Sequence, residues 1–135
     1  MYYVAKQLMN AQKSFVLENN FENVSIQDLL SLIKETSYSV IHIRVMGDYH
    51  IIYERFINRD QSEERHLGHF LNSKYPCVDM HEYKKLTFEE FVESIQLRGM
   101  DSFEITEHKI LIDNTDFSKV NLDGIMQEIN SMIEN

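Results

Sequence analysis

The sequence has few of the residues that mark secreted or membrane proteins. Cys77 is its only cysteine, so no intrachain disulfide can form. No apolar stretch approaches the roughly 18 residues of a membrane-spanning helix, and no basic start followed by an apolar run resembles a secretion signal. With a single proline, Pro76, and no repeat, low-complexity tract or linker, nothing divides the chain. These absences predict one domain over residues 1–135 in a reducing cytoplasm, without a membrane partner.

Positive charge is also scarce. The formal net charge is -9, and the arginines are limited to Arg44, Arg55, Arg59, Arg65 and Arg98. A general nucleic-acid surface needs many cations to neutralise phosphates, so this balance argues against a nucleic-acid partner. A hydrophobic content of 43% and an aromatic content of 11% indicate a globular chain with a core.

The hydrophobic pattern alternates between strand-like and helix-like segments. Strands are predicted at Ser14–Leu17, Val40–Met46 and Ile110–Ile112, because short apolar runs occur there. Helical spacing or capping patterns occur at Tyr2–Gln12, from Ser25 and Asp28, after Gly47-Asp48, between Thr87 and Gly99, and after Asn121. Alternating strands and helices favour parallel pairing. The sequence therefore predicts an α/β fold with a mostly parallel sheet of about three strands flanked by helices.

Three of the arginines fall in one short window. Arg55 and Arg59 are four positions apart and share a helix face, and Arg65 follows soon after. Guanidinium groups bind phosphate oxygens as a fork, so a cationic patch in an acidic chain indicates an anionic ligand. The alternative is a solvated helix face in which these arginines pair with nearby carboxylates, namely Glu54, Asp60, Glu63 and Glu64.

The segment around these arginines resembles a known family. The run eRFinRd..eeRHlGH, from Glu54 to His69, is similar to the helix and lid of small P-loop kinases, which transfer phosphate from ATP to nucleosides or other small molecules. SFVLENNF, from Ser14 to Phe21, resembles their strand facing the phosphate site. ILIDNTDF, from Ile110 to Phe117, resembles their last strand and adenine-side loop. The resemblance implies a three-layer partial P-loop kinase fold, a lid-like insertion at 61–85, and ATP and Mg²⁺ as cofactors.

One defining feature of that family is missing. No GxxxxGK[ST] sequence occurs, and the four glycines, Gly47, Gly68, Gly99 and Gly124, are scattered with no lysine after any of them. The resemblance therefore implies a remnant or fragment of a phosphotransferase that is inactive alone, because the phosphate cradle is absent. In such kinases the P-loop strand lies between the counterparts of Ser14–Leu17 and Val40–Met46. We expect these two strands to pair directly, or an upstream segment or a homo-oligomer partner to fill the position.

The resemblance also implies which residues form the site. Glu18 is the candidate carboxylate near the acceptor, and Arg55, Arg59 and Arg65 are candidates to stabilise charge on the transferred phosphoryl group. The remaining candidates would bind substrate or nucleotide: Asn19, Asn20, His66, His69, Asp113, Asn114 and Thr115. Each has a simpler reading, since Glu18 can end a strand in solvent, and asparagine and Asp113–Phe117 can form turns.

Two other classes of function remain open. The series HxxH...CxxxH, formed by His66, His69, Cys77 and His81, contains zinc-compatible ligands that could stabilise an α/β domain. Its spacing matches no strong zinc pattern, and the lid resemblance already accounts for His66 and His69, so no metal ligand is assigned. The third reading is a non-catalytic interaction module that associates through an exposed sheet edge.

Overall fold

The computed structural model describes residues 1–60 and 86–134. Within these ranges the chain forms five α-helices and two strands: α1 (Tyr2–Asn10), α2 (Ile26–Thr36), β1 (His42–Met46), α3 (Tyr49–Asp60), α4 (Phe88–Arg98), β2 (Lys109–Asp113) and α5 (Leu122–Glu134). All five predicted helices and two of the three predicted strands are present. The lid-like insertion at 61–85 lies outside the described residues.

The two strands form a parallel sheet. Their register runs from His42 opposite Lys109 to Met46 opposite Asp113. Backbone bonds from the His42 amide to the His108 carbonyl and from the Asn114 amide to the Met46 carbonyl, at 2.9 and 2.8 Å, close the two ends of the ladder. In a parallel ladder alternate residues of a strand bond to the same neighbour, so the backbone groups of the intervening residues of β1 point away from β2. The predicted α/β character with parallel pairing is confirmed at this level.

The prediction of a third strand at Ser14–Leu17 was wrong. This segment has no regular secondary structure and forms no ladder with β1 or β2, which make a sheet of two strands in the described residues. Phe15 packs against the cluster between α1 and α2, whereas Val16 is 93% exposed. Phe15 and Leu17 of this segment are half-buried, whereas its backbone pairs with neither strand. The expected direct pairing of Ser14–Leu17 with the strand at Val40–Met46, observed as β1, is likewise not formed.

A small core joins α1 to α2. Ala5 and Met9 of α1 and Leu32 of α2 are buried together, and Phe15 and Tyr38 pack against them. Ala5 and Met9 are four residues apart, which places both on the side of α1 that faces Leu32. The cluster holds α1 and α2 together.

Phe103 forms a second buried centre beside the sheet. Its side chain is 2% exposed, its ring stacks on Phe21 with centroids 5.2 Å apart, and it meets the edge of His42 at 5.7 Å. Burial is the main cause that lowers the pKa of His42. Ile110 of β2 is also buried, at 3% exposure. Phe103 therefore links the segment before α2 to the start of β1.

An aromatic ladder connects α3 to α4. His50 stacks on Phe88 with centroids 4.0 Å apart, Tyr53 lies 5.6 Å from Phe88 and 5.5 Å from Phe91, and Phe56 lies 5.4 Å from Phe91. The three rings of α3 are three residues apart, so they follow one face of the helix. This face of α3 packs against α4, so the contacts of α3 with the sheet must come from its other faces.

The predicted caps of α4 are confirmed. The Thr87 hydroxyl accepts from the Glu90 amide at 3.2 Å, and the Glu90 carboxylate accepts from the Thr87 amide at 2.9 Å. Gly99 ends the helix in the left-handed region with φ 66°. Arg98, the last residue of the helix, forms an ion pair with Glu22. The local sequence therefore fixes both ends of α4.

The helix starts at α2 and α5 differ in outcome. Asn121 was expected to cap α5, and its Oδ1 accepts from the Gly124 amide at 3.0 Å, which confirms the cap. The predicted capping box of Ser25 and Asp28 was wrong, because Ser25 makes no side-chain cap bond. A 3-10 turn at Asn23–Ser25 leads into α2 and already gives Ser25 a helical backbone. A capping residue needs a non-helical backbone for its side chain to reach the free amides.

Candidate site at the carboxyl edge of the sheet

Parallel pairing brings two loops to one edge of the sheet. β1 is followed by Gly47 and Asp48, and β2 by Asn114 and Thr115. The Thr115 hydroxyl accepts from the Asp48 amide at 2.8 Å. A Cβ added at Gly47 would lie 3.2 Å from the Thr115 amide nitrogen and 3.3 Å from its Oγ1, so only glycine fits this approach comfortably. Open α/β sheets bind ligands at this carboxyl edge.

Asp48 positions the helix that overlies this edge. Its Oδ1 accepts from the His50 amide at 2.8 Å and from the Ile51 amide at 3.3 Å, which are free amides in the first turn of α3. An aspartate at this position both caps the helix and complements its dipole. Because Thr115 holds the amide of the same residue, the start of α3 and the loop after β2 are fixed to each other.

Arg55 crosses from α3 to the loop after β2. Its guanidinium donates to the Asn114 carbonyl at 2.8 Å, to Asn114 Oδ1 at 2.5 Å and to the Thr115 carbonyl at 2.9 Å. Asn114 and Thr115 lie 59 and 60 positions after Arg55 in the sequence, so these are long-range contacts. A guanidinium has five donor hydrogens in a rigid plane, so three contacts to the loop still leave donors for another acceptor. We call Arg55 together with Asn114 and Thr115 the loop clamp.

Two carboxylates flank the loop clamp, and both are already hydrogen-bonded. Asp113 accepts from the Thr115 amide at 2.9 Å. Hydrogen bonds from Thr115 lower the pKa of Asp113. Asp116 accepts from the Ser118 amide at 3.1 Å and pairs with Lys119 at 3.1 Å, and hydrogen bonds from these two residues lower its pKa. Both groups are therefore anionic at neutral pH, and each stabilises a local turn.

The predicted site residues fall into three groups. Arg55, Asp113, Asn114 and Thr115 lie together at the edge. Arg59 is on the same helix as Arg55, exposed, with its guanidinium carbon 5.6 Å from the Phe56 ring centroid. A role for Arg59 stays a prediction.

A second group is not carried to this edge by a strand. Glu18, Asn19 and Asn20 are exposed and follow Ser14–Leu17. Because that segment is not part of the sheet, its end is not a carboxyl end of the sheet. The roles of these three residues in binding or catalysis stay predictions.

The third group lies outside the described residues. It comprises Arg65, His66 and His69, and the zinc series adds Cys77 and His81. Within residues 1–60 and 86–134, no group of three or more histidine, cysteine, aspartate or glutamate side chains is placed to bind a metal ion.

Three important positions were not singled out from sequence. Gly47 and Asp48 were read only as a turn, although an aspartate directly before a helical pattern is a recognisable cap. Arg44 of β1 was noted only as one of the few arginines, yet it donates to the Asp101 carbonyl at 2.9 Å and to the Phe103 carbonyl. Nothing in the local sequence indicates that contact, because it depends on the path of the chain after α4.

Comparison with models of known protein families, with curated proteins and with solved structures finds no match. Among the helices in the described part of the chain, none combines the length and apolar character needed to cross a membrane. The residues at the carboxyl edge and their geometry therefore carry the functional interpretation.

Proposed function

We propose that this chain is a P-loop kinase-like domain that binds a nucleotide or a related small phosphoester at the carboxyl edge of its sheet. The observation that carries the proposal is the loop clamp, in which Arg55 and the loop after β2 are joined at the edge where parallel α/β sheets bind ligands. The resemblance assigns this loop to the adenine side of the nucleotide. A cation with donors left over suits the anionic part of such a ligand.

The same residues do not supply phosphoryl transfer. Transfer needs a cradle of backbone amides and a lysine around the β and γ phosphates, and the sequence has no GxxxxGK[ST]. Asp113 and Asp116 accept hydrogen bonds within their own turns, and in the described part of the chain neither belongs to a group of three or more side chains that could hold a metal ion. The proposed domain therefore binds and positions a nucleotide without turning it over by itself.

Titration of ¹⁵N-labelled protein tests this function. Adding ATP with Mg²⁺ should shift the amide signals of Gly47, Asn114 and Thr115, with a dissociation constant on the order of 1 mM because no phosphate cradle contributes. Adenosine and tripolyphosphate, added separately, identify which half of the ligand the edge recognises. Turnover with a panel of hydroxyl acceptors is expected to be absent.

Substitution of Arg55 links the binding to the loop clamp. Arg55→Ala should weaken ATP binding about tenfold, because charge-assisted hydrogen bonds contribute about 1.5 to 3 kcal/mol. Lys6→Ala is the control, since it removes one positive charge on α1 where Lys6 pairs with Glu35 at 2.8 Å. Equal losses in both variants would reduce the effect to net charge. Signal shifts confined to residues away from the edge, or rapid turnover, would contradict the proposal.

A second candidate function is association through the edge of β1 that faces away from β2 and pairs with no strand in residues 1–60 and 86–134. Ile43 and Val45 are 42% and 58% exposed, and their backbone groups point away from β2. An unpaired edge of this kind is a template for another strand, and a second copy would pair antiparallel about a two-fold axis. The side of β1 that faces away from β2 is therefore the feature that favours a homo-oligomer.

Light scattering across micromolar to millimolar concentration tests the edge. The chain should form a dimer as concentration rises, and Val45→Lys should keep it monomeric because a charge on an edge strand blocks pairing. Val16→Lys is the matched control, since Val16 is 93% exposed and lies outside the sheet. A chain that stays monomeric throughout rules out this function.

A further inference from the structure

Helix α5 carries an apolar face that the other described residues cover only in part. Helix α5 contains six large apolar side chains: Leu122, Ile125, Met126, Ile129, Met132 and Ile133. None of the residues of α5 is buried. Ile125, Ile129 and Met132 are half-buried, whereas the other three are 58%, 54% and 69% exposed in chain order.

The exposed members form a single strip. At about 100° per residue, Leu122, Met126 and Ile133 lie within about 40° of one another around the helix axis. The half-buried members continue the apolar face on one side. The strip extends about 16 Å along the axis, at about 1.5 Å per residue. Its length and alignment match the contact face of a second helix.

The opposite border of the strip is acidic. Asp123 and Glu134 are exposed and lie roughly 60° to 80° beyond Met126 around the axis. They stand near the two ends of the strip, about three turns apart. The helix contains no lysine or arginine, and the chain as a whole carries a formal charge of -9. A partner lying on the strip therefore meets carboxylates along one side.

We propose that the strip of Leu122, Met126 and Ile133 binds a cationic amphipathic helix of another protein. The apolar stripe of that helix would cover the strip, and its lysines or arginines, spaced about three turns apart, would face Asp123 and Glu134. A second copy of this chain fits poorly. Antiparallel pairing of two α5 helices would bring Asp123 of one copy beside Glu134 of the other, and like charges facing each other at an interface are costly.

Two labelled peptides test the charge requirement by fluorescence anisotropy. One is a synthetic amphipathic helix with a leucine stripe flanked by lysines, and the other has glutamates in place of those lysines. The full chain should bind the lysine peptide at least about tenfold more tightly. In the double variant Asp123→Lys, Glu134→Lys this preference should reverse. Equal binding of both peptides, or no reversal, overturns the proposal.

A triple substitution tests the apolar strip. Changing Leu122, Met126 and Ile133 to glutamine should weaken binding of the lysine peptide by about tenfold or more, because it removes the anchors at the centre of the contact. Circular dichroism checks that the helix content is retained. If wild-type chain self-associates and this variant does not, the strip is an interface between copies and the proposal is wrong.

The matched control changes exposed apolar residues elsewhere. Val4, Val16 and Leu97 are 59%, 93% and 78% exposed and lie outside α5. Their replacement by glutamine should leave peptide binding within about twofold, since exposed residues outside an interface contribute little. Equal losses in the control and strip variants would mean that the peptide binds without preference for α5, and would overturn the proposal.

Discussion

Replacing Phe103 by alanine is expected to lower the free energy of unfolding by about 3 to 5 kcal/mol, the usual cost of emptying a buried aromatic site. The side chain is 2% exposed, and its ring contacts Phe21 and His42. Because these contacts join the segment before α2 to β1, their loss leaves a cavity between two parts of the chain. Urea unfolding followed by circular dichroism measures the change.

Two further variants are needed because the expected loss of stability is large. Phe103→Leu keeps most of the volume and should cost clearly less than the alanine variant, so a measurable protein remains if Phe103→Ala fails to fold. Phe117→Ala is the matched control, since Phe117 is 67% exposed and its loss should change stability by less than about 0.5 kcal/mol. Equal stability losses at the buried and exposed phenylalanines would show that Phe103 does not organise a core.

Substitution of Gly99 by alanine is expected to lower the free energy of unfolding by about 1 to 3 kcal/mol. Gly99 has φ 66° and ψ 29°, a left-handed conformation that any side chain with a Cβ adopts at a cost. A Cβ built there would also lie 1.9 Å from Asn23 Nδ2, so Asn23 must move. Asn23 is exposed and can rotate, which makes the backbone the larger contribution.

A double-mutant cycle separates the two causes of the Gly99 effect. Combining Gly99→Ala with Asn23→Gly should recover less than about 1 kcal/mol, since only the steric contact is relieved. Gly124→Ala is the control within α5. Alanine favours the helix, but its Cβ would lie 2.6 Å from Nδ2 of the capping residue Asn121, so the cap must shift, and the two effects together should keep the change within about 1 kcal/mol of wild type. Full recovery in the double variant would assign the cost to the clash instead of to backbone conformation. Thermal melting of wild type, the single variants Gly99→Ala and Asn23→Gly, the double variant and Gly124→Ala provides the comparison.

The features predicted correctly depend on short-range chemistry. Thr87, Glu90 and Gly99 define α4 because a cap involves residues within one turn of each other. The apolar runs that became β1 and β2 contain β-branched residues that favour strands wherever an edge is available. Ser14–Leu17 has a similar composition, but the strand predicted there does not form. A strand needs a neighbouring edge to pair with, and the Phe15 side chain instead packs against the α1–α2 cluster.

The sequence predicted which residues belong to the candidate site, but it did not predict the contacts between them. Arg55, Asn114 and Thr115 were singled out from the resemblance, and the structure brings them together. That Arg55 donates to the loop carbonyls follows from the parallel register, which places the loops after β1 and β2 side by side. Such a contact joins distant positions, so local pattern carries no signal for it.

The parallel register has a consequence for how the chain folds. The bond between Asp48 and Thr115 joins residues 67 positions apart. The sheet can form only after the chain between these residues has closed into a loop. The conformational entropy of that loop is lost before the hydrogen bonds of the ladder can offset it. The contact between α1 and α2 joins neighbouring elements and needs no long closure. We therefore expect the N-terminal helices to associate early, with strand pairing setting the rate at which the native state is reached.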